Sequence, residues 1–199
     1  MTENDVMELF QRTGAWLING HFVYSSGRHG TQYLNKYALY PHTQLVSQLC
    51  RSIAEKFIHD DVEVVVAPAM GGIVLSQWVA FHLSEFTGKE VVATYAEKSN
   101  SADFFALNHG YDLLVENKRV LVVEDILTSG GSALKVIRNV RFSCGQVVGV
   151  GALWNRGKVS CEDLGDVPKL FSLVNIEIVS WPESNCSYCN FCVPLSKKP

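Results

Sequence analysis

Four short, largely apolar runs alternate along this chain with longer segments of helical period, and that alternation restricts the fold more than any other feature. Val62 to Ala67 reads VEVVVA, Val91 to Tyr95 and Arg119 to Val123 have strand length, and Val147 to Trp154 closes the series. Between them, Gly72 to Phe86 and Ser132 to Val140 read as helices. Ahead of the first run, Pro41 opens a helix that carries Leu45, Leu49, Ile53 and Phe57 at i, i+4 spacing to about Ile58. A strand that is apolar along its length is buried on both faces, and intervening helices supply the cover. The pattern therefore predicts an α/β fold with a central, mostly parallel sheet flanked by helices. Right-handed crossovers bring the carboxyl ends of such strands to one edge, where ligands collect. The loops after Ala67, Tyr95 and Val123 should open there as one mouth.

The 199 residues suffice for one domain, and no repeat, low-complexity stretch or linker divides them. Nucleic-acid binding is not expected from a net charge of -3. The opening MTENDVMELF has acids where a signal peptide has basic residues, and the most apolar stretch, Val62 to Leu75, is broken by Pro68, Gly71 and Gly72. A cytoplasmic protein with no membrane partner is the expectation. Toward the N-terminus, Asp5 to Thr13 reads as an amphipathic helix carrying Val6, Leu9 and Phe10. Phe22 to Tyr24 and Gln32 to Leu34 read as short extended pieces.

The chemistry concentrates after the third strand. Four apolar residues, Val120 to Val123, lead into Glu124 and Asp125, then Ile126, Leu127, Thr128, Ser129, Gly130, Gly131 and Ser132 at the start of a helix. A helix N-terminus offers unpaired N–H groups and partial positive charge, and glycines let a phosphate approach the backbone. The carboxylates repel that phosphate but accept hydrogen bonds from sugar hydroxyls or contact a divalent ion. Donors for phosphate and acceptors for hydroxyls, a few residues apart, suit a sugar phosphate. The plainer reading is that the hydroxyls cap the helix; capping accounts for one hydroxyl, not for two acids, two glycines and three hydroxyls together.

This segment resembles, at every position, the thirteen-residue signature of type I phosphoribosyltransferases. The resemblance implies that family's fold, with Thr128 to Ser132 holding the 5-phosphate of phosphoribosyl pyrophosphate and Glu124 and Asp125 meeting the ribose hydroxyls. Pro68-Ala69-Met70-Gly71-Gly72 is then similar to the family's pyrophosphate loop; alone it reads equally well as an ordinary strand-to-helix turn. Gly20 to Arg28, with Tyr33 to Lys36, resembles the N-terminal segment of orotate phosphoribosyltransferases, and the likeness runs from about Met7 to Leu195. Tyr24 stands where leucine is usual, and Ser25 where some members have lysine. By itself this segment reads as a hairpin with a basic turn.

That resemblance implies a single domain: a core of about residues 41–156, and a small hood from about 1–40 and 157–199. It further implies magnesium as cofactor, a homodimer, and orotate contacts from Thr128, Arg156 and Ser26. An arginine suits a planar carboxylate. Asn155 replaces the family's aspartate beside Arg156 and brings no charge to anchor it. Lys98 and Asp125 are the residues to which catalytic parts fall. The loop Ala96 to Gly110, read as irregular, has only Lys98 and His109 as basic residues, with Asp103, Phe104 and Phe105 in its middle. Two other functions stay open: a transferase for another base, and a binding protein that holds phosphoribosyl pyrophosphate without turnover.

Cys186, Cys189 and Cys192 cluster in the tail. A structural zinc site takes four ligands, and the tail offers three with no nearby histidine. They are read as reduced thiols packed against the hood or a partner subunit, and no metal ligand is assigned to the protein.

Overall fold

The computed structural model describes residues 1–24, 26–99 and 104–197. Ser25 and Asp103, named above, lie outside the described residues. Helix α1 (Glu3–Arg12) is started by a reciprocal capping box between Thr2 and Asp5 and buries Val6, Met7 and Phe10. Two small antiparallel pairs follow. β1 (Trp16–Leu17) joins β4 (Tyr33–Leu34), and β2 (Phe22–Val23) joins β3 (His29–Gly30) as a hairpin.

Helices α2 (Lys36–Leu39) and α3 (Thr43–Ala54) lead into β5 (Val64–Pro68), α4 (Ile73–Thr87) and β6 (Val92–Lys98). After β7 (Phe105–Ala106) come α5 (Tyr111–Val115), β8 (Arg119–Leu127), α6 (Gly131–Phe142), β9 (Gln146–Asn155) and β10 (Leu170–Val174). A short α7 (Ser187–Asn190) lies in the tail. The main sheet has the order β10-β9-β8-β5-β6-β7, parallel throughout except for the last pair.

The period of the strands divides the core in two. Val65, Ala67, Leu121 and Val123 point to one face, where they pack with Phe10, Leu49, Ile53, Leu75 and Val79. Val64, Val66, Val120 and Val122 point to the other, against Val136, Ile137 and Val140 of α6. With both faces covered, the inner strands β5 and β8 meet solvent mainly at their ends.

Several elements depart from the sequence reading. The short α2 ahead of Pro41 was not expected, and the helix expected from Pro41 to about Ile58 is α3, which begins at Thr43 and stops at Ala54. Phe57, beyond its end, is still fully buried. β8 runs through the acids to Leu127, because β9 pairs with it as far as Leu127↔Asn155. The Ala96 to Gly110 stretch is not irregular throughout: β6 continues to Lys98, and β7 folds back on it at Lys98↔Phe105. Phe105 and Leu107 anchor that return in the core, which a polar average over the segment conceals. β10 and α5 were not expected. Among the described residues, no helix is long and apolar enough to cross a membrane.

Candidate active site

β5, β8 and β9 end side by side, so their exits frame one cavity of about 420 Å³. Ala69, Met70 and Gly71 form one wall; Glu124, Asp125 and Ile126 the floor; Thr128 and Ser132 the far side; and Arg156 the rim. Lys36 and Tyr37 complete it from α2. A smaller recess of about 110 Å³ continues under Thr128, Ser129, Gly130, Gly131 and Ser132.

Consecutive strand residues face opposite ways, and that separates the two acids. Asp125, on the α4 side, accepts from Lys36 Nζ at 2.6 Å and from the Tyr40 hydroxyl at 3.0 Å. Tyr40 also donates to the carbonyl of Gly71 at 2.5 Å. A Cβ on Gly71 would fall 1.8 Å from Asp125 Oδ2, so only glycine lets the loop pass this carboxylate. Glu124 lines both the main cavity and the smaller recess. The pair thus straddles the strand end, one acid toward the first loop and one toward the second.

The electrostatics differ accordingly. Burial pushes the Glu124 carboxyl well above the usual range, and the neighbouring charge of Asp125 adds to it; the Asp125 N–H and Lys36 pull the other way without reversing it. Burial acts against charge on Lys36, yet the charge and hydrogen bond of Asp125 outweigh it and raise its pKa. A carboxyl whose folded pKa is raised holds its proton more tightly in the folded chain than in the unfolded one. The stability it adds is therefore complete below the ordinary value of 4.5 and falls away as pH climbs from there through the folded value. Glu124→Gln should accordingly melt at a higher temperature than the parent at neutral pH, with the gap closing as pH drops to about 4.5. Equal melting temperatures at neutral pH in ligand-free protein would contradict this.

The phosphate-like loop is built on backbone. Helix α6 begins after Gly130, whose φ of 72° is left-handed, and no side chain caps its first turn. The nearest hydroxyl contact is a long one, from the Gly131 N–H to Ser129 Oγ at 3.4 Å. The hydroxyls of Thr128 and Ser132 line the cavity instead, so capping does not explain them. Leu127, fully buried, takes part only through its backbone: its carbonyl accepts from the N–H of Arg156 at 3.0 Å and of Gly157 at 3.2 Å.

Those bonds fix where Arg156 stands. Its Nε donates to Thr128 Oγ1 at 3.2 Å and its guanidinium lies 5.3 Å from the centre of the Tyr24 ring. Asn155 is engaged with the loop that follows it rather than with the Arg156 side chain. Its buried amide donates to the Val159 carbonyl at 2.8 Å and accepts from the Val159 N–H at 2.9 Å. It fastens the loop that follows β9, and an aspartate could not make the first of these bonds.

Not every expected residue reaches the cavity. Lys98 is exposed at the end of β6 and Ser26 is exposed at the hairpin turn; neither lines it. Gly72 sits behind the wall as the N-cap of α4, where a Cβ would meet Ala67 Cβ at 2.7 Å. Lys36, Tyr37 and Tyr40 were not assigned from sequence. Lys36 stood in a quoted segment, but nothing local ties residue 36 to residue 125. A second cluster lies apart from this cavity, where Cys186 and Cys189 meet His21 and His29.

Residues 38–187 match the family described as phosphoribosyl transferase domain. The chain is 36% identical over 197 residues to the orotate phosphoribosyltransferase of Pelotomaculum thermopropionicum, covering 99% of this chain and 97% of that protein. It is 35% identical over 199 residues to the orotate phosphoribosyltransferase of Caldanaerobacter subterraneus subsp. tengcongensis, covering 99% and 97%. Among solved structures, the Mycobacterium tuberculosis H37Rv orotate phosphoribosyltransferase in complex with Fe(III) dicitrate superimposes with a TM-score of 0.68 at 26% identity, covering 86% of this chain and 95% of that one.

Proposed function

The chain belongs to the orotate phosphoribosyltransferase family, and from that premise we propose that it transfers the phosphoribosyl group of phosphoribosyl pyrophosphate to a ring nitrogen of orotate. The products are orotidine 5-phosphate and pyrophosphate, a step of pyrimidine nucleotide biosynthesis. The observation that carries this reading is the meeting, in one cavity, of an acid pair, an uncapped glycine-and-hydroxyl loop and an arginine at the rim.

Each part has a task. The recess under Thr128 to Ser132 receives the 5-phosphate, on N–H groups at a helix start. Glu124 and Asp125, on opposite sides of the strand end, accept from the ribose 2- and 3-hydroxyls. Ala69, Met70 and Gly71 flank the pyrophosphate. Arg156 takes the orotate carboxylate, steered by Thr128 and by Tyr24 above it. As the bond from the anomeric carbon to pyrophosphate oxygen breaks, that carbon becomes cation-like, and a new bond to the ring nitrogen forms. Placement and charge complementarity supply the rate, with no protein nucleophile.

Phosphoribosyltransferases use magnesium with phosphoribosyl pyrophosphate. Two carboxylates facing a wet cavity are the hard oxygen donors that such an ion accepts, so Glu124 and Asp125 are the residues that would border it. When bound, it neutralises charge on the departing pyrophosphate. Lys98 lies outside the cavity of its own chain; in the homodimer that belongs to this reading it would serve the neighbouring site. The β2–β3 hairpin and the tail, held together near Tyr24, would form the hood. Assays of orotate, uracil and hypoxanthine with phosphoribosyl pyrophosphate and magnesium test the reading. Orotidine 5-phosphate should form from orotate alone; preference for hypoxanthine, or binding without turnover of any base, would overturn it.

A further inference from the structure

Outside the cavity, four side chains that ligate metals converge. Two come from the hairpin, His21 just before β2 and His29 in β3; two come from the tail, Cys186 and Cys189. Their donor atoms all lie within 4.8 Å of one another. His21, His29 and Cys186 are buried. All four residues are separate thiols and imidazoles, none being in a disulfide.

The spacing approaches that of a coordination shell, with the two ring nitrogens closer together than bonds to one ion would hold them. Cys186 Sγ and Cys189 Sγ each lie 3.6 Å from His21 Nε2, Cys189 Sγ lies 3.3 Å from His29 Nδ1, and the two ring nitrogens are 2.9 Å apart. Zinc bonds of about 2.3 Å to sulfur and about 2.0–2.1 Å to nitrogen give tetrahedral edges of roughly 3.6 Å for sulfur–nitrogen and roughly 3.3 Å for nitrogen–nitrogen. The orientation is set as well. The other ring nitrogen of His21, Nδ1, lies 2.8 Å from the Val193 carbonyl and must donate to it, which leaves the Nε2 lone pair aimed into the cluster. Two thiolates and two imidazoles in a closed tetrahedron select zinc, with no vacant position for substrate.

We propose that His21, His29, Cys186 and Cys189 form a structural zinc site that fastens the C-terminal tail to the β2–β3 hairpin. The tail alone lacks a fourth ligand; the fold supplies two from more than a hundred and fifty residues earlier, consistent with other bonds at the same seam. His29 and Trp181 exchange backbone hydrogen bonds of 2.7 and 2.8 Å, and the Ser196 N–H donates to the His21 carbonyl at 2.7 Å. The hairpin continues directly into Tyr24, which faces Arg156. The ion would thus steady the segment that packs against Arg156 at the rim, without entering the cavity. Cys192, exposed and outside the cluster, is no ligand.

The test is metal analysis of the intact chain purified without chelator, together with Cys189→Ser, His29→Gln and Cys192→Ser. The parent and Cys192→Ser should carry about one zinc per chain, and the other two should have lost it. Refolding the parent with cobalt(II) should give a thiolate-to-cobalt charge-transfer band and strong tetrahedral bands in the visible. Zinc stripping should lower the melting temperature by on the order of 5 °C or more. The proposal is overturned by any of four results: a parent that takes up neither zinc nor cobalt, zinc retained in Cys189→Ser, zinc lost in Cys192→Ser, or a Cys186–Cys189 disulfide in the purified chain. Should the ligand variants fail to fold, the cobalt spectrum of the parent decides, a weak octahedral spectrum counting against the site.

Discussion

Asp125→Asn should lower kcat/KM for phosphoribosyl pyrophosphate by roughly a hundredfold or more while the chain stays folded. A charged hydrogen bond is worth about 1.5–3 kcal/mol, and this carboxylate would lose its charge toward both the ribose and the cation. The fold should tolerate the change, because the amide keeps the carboxylate's shape in the tight space beside Gly71. Lys36, part-exposed, can turn its charge to solvent. Burial and the charge of Asp125 together raise the Glu124 pKa; removing that charge leaves burial as the main obstacle to its ionisation. Steady-state kinetics with a thermal melt on the same samples separates the two effects. An unchanged kcat/KM would remove Asp125 from the site, and a collapse of the melt would make its role structural.

Arg156→Ala should cost about 1.5–3 kcal/mol in orotate recognition, a loss on the order of ten- to a hundredfold in kcat/KM for orotate. Affinity for phosphoribosyl pyrophosphate should change much less, since Arg156 reaches that side of the cavity only through Thr128. Discrimination between orotate and uracil should shrink with it, because the two bases differ in the carboxylate. Arg156→Lys should restore charge but not the planar fork, and so recover part of the loss. Calorimetry with phosphoribosyl pyrophosphate, beside kinetics with both bases, distinguishes a base contact from a general disturbance. Orotate turnover untouched in Arg156→Ala would sink the assignment.

What the sequence disclosed follows from how local each signal is. Buried parallel strands announce themselves as apolar runs, and their topology alone brought the exits of β5 and β8 to one mouth. The acids and glycines that follow are contiguous, so Glu124 to Ser132 could be read as a unit. The contacts that were missed join residues distant in the chain. Lys36, in α2, and Tyr40, just beyond its end, reach Asp125 from a segment before the first core strand. Arg156 is held by backbone bonds to Leu127, and Asn155 by Val159, neither visible in a residue name. The tail cysteines were counted against their own neighbourhood, where no histidine occurs, whereas the pairing of hairpin and tail brings two. β10 was missed because LFSLV is short and lacks a clear period.

The bridge between His29 and Trp181 also orders events in time. A growing chain makes β5, β6, β8 and β9 in sequence, and each can pair as it emerges, so the floor of the cavity is completed by about residue 155. The hairpin, although synthesised among the first thirty residues, has its seam partners at 181–196 and must wait for them. During synthesis the residues of the cavity floor are therefore made before the seam between hairpin and tail can close. Proteolytic clipping ahead of residue 181 would leave the hairpin without the backbone partners it has at Trp181 and Ser196.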